Sequence, residues 1–65
     1  NMPKYPEITV PLSNRDGNAF AILGRCQTAL RLAKKLDEWP EFYTQATSGD
    51  YTTPLITVMK WFTVE

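Results

Sequence analysis

DYTTPLITVMKWFTVE, Asp50 to Glu65, can be read as a strand or as a helix, and the choice decides the fold class. Propensity favours a strand, because Thr, Ile, Val, Trp and Phe crowd together. Periodicity favours a helix. At 100° per residue, Tyr51, Leu55, Val58, Met59 and Phe62 fall within an arc of roughly 100°, with Thr53, Thr57 and Lys60 opposite. The strand reading puts Lys60 on one face with Ile56, Val58 and Phe62, which does not segregate. Pro54 suits the first turn of a helix, with Thr53 or Asp50 as its cap. The expectation is a helix from about Pro54 to Trp61. Phe62 to Glu65 then turns extended and lies beside Ile8–Val10.

Working outward, Ala19 to Leu36, AFAILGRCQTALRLAKKL, is the longest proline-free stretch and carries a strong helical period. Ala19, Ile22, Leu23, Cys26, Ala29, Leu30, Ala33 and Leu36 share an arc of roughly 140°, with Thr28, Arg31 and Lys35 opposite. Asp16 and Asn18 compete as its cap. Its basic residues are Arg25, Arg31, Lys34 and Lys35, and the acidic Asp37, Glu38 and Glu41 follow at once. The expected helix spans residues 18–36. Trp39-Pro40 ends it, because a residue before proline avoids helical backbone. Pro40 starts a short helix to Ala46, with one of Phe42 and Tyr43 inward and the other at the rim. Gly49 suits a left-handed helix cap.

Toward the N-terminus, Met2 to Pro6 reads as an extended arm. Glu7 to Leu12 reads as a short strand with Ile8 and Val10 on one face and Thr9 on the other. Ser13 to Asn18 is dense in turn formers. The expected fold is α+β: two main helices and a short connecting helix, with N- and C-terminal short strands paired.

Sixty-five residues make a single small domain. Asn1 ahead of Met2 is set aside as an expression remnant. Such a chain buries only about 60% of its unfolded surface and usually needs a disulfide, a metal or a partner. One cysteine forms no disulfide within the chain, and the absence of histidine argues against a metal or haem site. No cofactor is expected. A partner chain is the remaining support. Seven basic residues balance seven acidic ones, so the electrostatic footprint of a nucleic-acid binder or a polybasic membrane anchor is missing. No apolar run approaches a membrane span, and no signal peptide is expected. A lone free cysteine fits a reducing cytoplasmic setting.

Cys26 lies in the apolar stripe with no histidine to activate it, so it reads as a buried small hydrophobe and the chain as a non-enzyme. Asp16-Gly17 ahead of a helix is a generic anion site, with Arg15 and Arg25 in support, and is the basis of a small-ligand alternative. Arg25, Arg31, Lys34 and Lys35 are the residues of a nucleic-acid alternative. Phe20 and Leu32 lie outside the first helix's stripe, Ile56 and Trp61 lie on the flanks of the last helix, and Trp39 sits at a junction. Surplus apolar side chains of this kind mark an interface.

Asp16 to Arg25, DGNAFAILGR, and Ala46 to Tyr51, ATSGDY, followed by the Val58-Met59-Lys60-Trp61 stretch, resemble segments of small uncharacterised bacterial and phage proteins. The resemblance implies a small protein of phage or mobile-element origin and carries no site. The leading expectation is a protein–protein interaction module that forms a homodimer.

Overall fold

The computed structural model describes residues 2–12 and 18–65. In chain order the elements are β1 (Tyr5–Val10), α1 (Ala19–Leu32), a 3-10 turn (Leu36–Glu38), α2 (Trp39–Ala46), α3 (Thr53–Trp61) and β2 (Phe62–Val64). The fold is α+β, and Asp50–Glu65 is a helix followed by a short strand.

Asn18 caps α1: its backbone is extended and its Oδ1 accepts from the Phe20 N–H at 2.8 Å. Asp16, the competing cap, lies outside the described residues. The helix ends at Leu32, four residues short of the expected boundary, and the reason is local. Lys34 adopts a left-handed conformation (φ 61°). The Lys35 N–H then returns to the Leu30 carbonyl at 2.8 Å, and the Lys34 N–H to Arg31 at 3.0 Å. This is the Schellman arrangement, with lysine at the position glycine usually fills. The reversal takes Leu36 off the stripe and leaves it exposed in the 3-10 turn.

Trp39 does not end the first helix. It opens α2, with Pro40 in the first turn, where a missing N–H costs nothing. Phe42 is fully buried and Tyr43 lies at the rim, as the pattern predicts. Gly49 is not left-handed. The end of α2 is closed instead by hydroxyls: Thr47 Oγ1 donates to Tyr43 O at 2.7 Å and Ser48 Oγ to Gln45 O at 2.8 Å. Gly49 serves by its size, because a Cβ there would run into Thr53 Oγ1. Asp50 Oδ1 accepts from Thr52 N–H at 3.0 Å and Thr52 Oγ1 at 2.7 Å, which sets the turn before α3.

The two strands are parallel, so the whole helical body is the crossover between them. Tyr5 pairs with Phe62, Thr9 with Thr63 and Val10 with Val64, with an irregularity between Tyr5 and Thr9. Pro6, which has no N–H to offer a ladder, falls in that irregular stretch, and its carbonyl accepts from Thr63 Oγ1 at 2.7 Å. The strand starts two residues before the expected boundary, inside the segment read as an arm.

The core joins Ile8 and Val10 of β1, Leu23, Cys26 and Leu30 of α1, Phe42 and Ala46 of α2, Val58 and Trp61 of α3, and Phe62. Aromatic rings dominate it. Phe42 meets Trp61 edge-on at 5.3 Å and Phe62 at 5.4 Å, and Tyr5 lies 6.0 Å from Trp61. Rings in such tilted contacts add to plain area burial.

Candidate interaction face

The face of α3 that enters the core is Pro54, Thr57, Val58 and Trp61. The sequence pattern pointed the helix about a quarter turn away, with Tyr51, Leu55 and Met59 inward. Those three are exposed instead, Tyr51 by 88%, and Thr57, expected outside, is buried. The hydrogen bond that ties this orientation to another element is made by Trp61, and the buried Thr57 hydroxyl is satisfied within the helix. Trp61 Nε1 donates to Gln45 Oε1 at 2.8 Å, and Thr57 Oγ1 donates to Thr53 O at 2.8 Å. With those groups satisfied, burying the large indole outweighs burying the thioether of Met59. Lys4 completes the indole's cover, with Nζ 4.1 Å from the ring centroid and 3.3 Å from Glu38 Oε1.

Trp61 is therefore a core residue, only 3% exposed, and not part of an exposed flank. The other residues proposed for an interface divide. Phe20 and Leu32 are exposed by 78% and 77%, near opposite ends of α1. Leu32, with Thr9, Pro11, Gly24 and Arg25, lines a shallow groove of about 470 Å³ between β1 and α1. Trp39 is half-buried and stacks on Phe42 at 5.7 Å. Ile56 is exposed on α3 beside Leu55 and Met59. Tyr51 and Leu55 also border a smaller groove of about 240 Å³, closed on its α1 side by Ala19 and Ile22. The outward residues Leu55, Ile56 and Met59 of α3 and Tyr51 of the preceding turn are thus apolar and exposed, and the only charged side chain within the helix is Lys60. Of these only Ile56 was singled out from sequence. The others carried the right signal, a helical apolar stripe, assigned to the wrong side.

The basic residues of α1 and of the turn after it do not present one open face. Arg25 Nη1 reaches the Pro11 carbonyl at 3.4 Å, and Lys35 Nζ sits 5.0 Å from the Tyr5 ring centroid. Arg31 and Lys34 are exposed. The Asp16-Gly17 turn and Arg15, basis of the anion-site expectation, lie outside the described residues. Cys26 is fully buried as expected, and desolvation pushes its thiol up to about 12, so the thiolate is scarce at neutral pH. Among the described residues no group of three or more histidine, cysteine or acidic side chains could hold a metal ion. Among the described residues no helix is long and apolar enough to cross a membrane.

No protein-family model, no curated protein and no solved structure matches this chain.

Proposed function

We propose that this chain is a non-enzymatic protein–protein interaction module that works as a homodimer, with the outward face of α3 as its contact surface. The observation that carries the reading is the exposure of Leu55, Ile56 and Met59 on α3, with Tyr51 exposed in the turn before it, on a helix whose other face is fully used. Burying one large apolar side chain contributes about 1.5–3 kcal/mol, whereas the net stability of a small domain is about 5 kcal/mol. Covering two or three such groups is a large fraction of the total, and a twofold contact covers the same set on both chains. The buried, protonated Cys26 fits a reducing cytoplasmic setting.

Association that stabilises the folded chain makes its unfolding midpoint depend on concentration. The midpoint should rise between low and high micromolar protein. Met59→Lys, which places a charge in the face without touching the core, should remove the rise and keep the dilute midpoint. A midpoint indifferent to concentration in the unaltered chain overturns the reading.

A further inference from the structure

The two halves of β1 are fastened in different ways. Thr9 and Val10 pair with Thr63 and Val64, Glu65 N–H donates to Val10 O at 3.1 Å, and Ile8 and Val10 are buried. From Tyr5 to Thr9, however, β1 advances four residues while β2 advances one, from Phe62 to Thr63. That bulge interrupts the ladder, and Pro6 within it has no N–H to offer. On the N-terminal side of the bulge, Lys4 N–H reaches Lys60 O at 2.9 Å, and side chains supply further fastenings. Lys4 Nζ lies 4.1 Å from the Trp61 ring centroid and 3.3 Å from Glu38 Oε1, and Lys35 Nζ lies 5.0 Å from that of Tyr5. Lys4, Pro6 and Glu7 are exposed and Tyr5 is half-buried, so these attractions are weak and screened by salt. The indole beneath is nearly wholly buried, and its Nε1 is held by Gln45 of α2, a bond that involves nothing of β1. A segment held by few buried contacts opens at lower free energy than the core it covers. We propose that Lys4 is the latch of a strap: residues 4–7 swing open about the bulge by themselves and bare the indole of Trp61, while the rest of β1 and the three helices stay folded.

Native-state hydrogen exchange of the unaltered chain reads the opening directly. Lys4 N–H and Leu12 N–H lie on opposite sides of the bulge, and each donates to a carbonyl of the C-terminal segment, Lys60 O and Glu65 O. Corrected for intrinsic rates, Lys4 N–H should exchange at least about tenfold faster than Leu12 N–H. Its exchange should also depend only weakly on denaturant, because a strap of four residues bares little surface. Equal protection and equal denaturant dependence would make β1 one cooperative unit and overturn the proposal. Fluorescence gives the second readout. In a Trp39→Phe background Trp61 is the remaining tryptophan, and phenylalanine keeps a ring against Phe42. Adding Lys4→Glu sets a carboxylate against Glu38 and removes the cation from the indole. Acrylamide quenching of Trp61 should then rise about twofold, with the helical circular dichroism signal retained. Unchanged quenching would show that Lys4 does not hold the strap, and loss of the helical signal would show that the strap does not open separately from the fold. Either result overturns the proposal.

Discussion

The two faces of α3 are similar in apolar content and opposite in fate. The inner face gives Pro54, Thr57, Val58 and Trp61 to the core, and each polar atom on it has a partner in the chain. The outer face is at least as apolar, yet Tyr51, Leu55, Ile56 and Met59 remain exposed. Hydrophobicity alone does not say which side of such a helix turns in. What separates the sides is the supply of partners. Gln45 of α2 stands where the indole N–H needs an acceptor, and the rings of Tyr5, Phe42 and Phe62 surround the indole.

The largest expected effect tests this contrast. Truncating a buried tryptophan costs about 3–5 kcal/mol, comparable to the whole stability of a domain this small. Trp61→Ala should be largely unfolded by circular dichroism at room temperature. Met59→Ala should leave the stability of the dilute chain within about 0.5 kcal/mol. Equal losses from both would erase the distinction between the faces. Next in size is Gln45→Leu, which leaves the indole N–H without its acceptor. Chemical denaturation should show a loss of about 1–3 kcal/mol, and a neutral result would mean that the hydrogen bond does not fix the rotation of α3.

A smaller effect of opposite sign is expected at the end of α1. A lysine held in left-handed backbone is strained by about 1 kcal/mol relative to glycine. Lys34→Gly should raise the denaturation midpoint accordingly, and a lower midpoint would contradict the Schellman closure. The smallest effect concerns the turn that leads into α3. Hydrogen bonds from the Thr52 hydroxyl and N–H hold the Asp50 carboxyl below the usual range. A depressed folded value makes its contribution complete above the unfolded pKa of about 3.9 and lost as pH falls through the lower folded value. Asp50→Asn should flatten that part of an acid titration of the unfolding midpoint. An unchanged profile would detach Asp50 from the turn.

Much of this architecture is legible in the residues, and the misses have local causes. The period of Ala19–Leu30 places Leu23, Cys26 and Leu30 inside, and Ile8 and Val10 fall on the buried side of β1. The end of α1 is hidden because its left-handed residue is lysine, which carries none of the signal that glycine would. The rotation of α3 is hidden because Trp61 is buried through a partner on Gln45 of α2 that a single helical wheel does not contain. The expected pairing of β1 with β2 is found, and its parallel sense depends on how the helical body returns the chain, which no local pattern encodes. Of the interface residues read from sequence, Phe20, Leu32 and Ile56 are exposed, Trp39 is half-covered and Trp61 is core. The outer face of α3 emerged only once its inner face was known.

Sedimentation equilibrium of the unaltered chain beside Leu55→Glu, from low to high micromolar, tests the central claim most directly. A carboxylate at Leu55 sits in the middle of the outer face, at a position already in solvent, so the variant should fold and stay monomeric throughout. The unaltered chain should pass from monomer to dimer across that range. An unaltered chain that sediments as a monomer at high micromolar concentration, or a Leu55→Glu variant that dimerises equally well, would contradict the assignment of this face to a second copy.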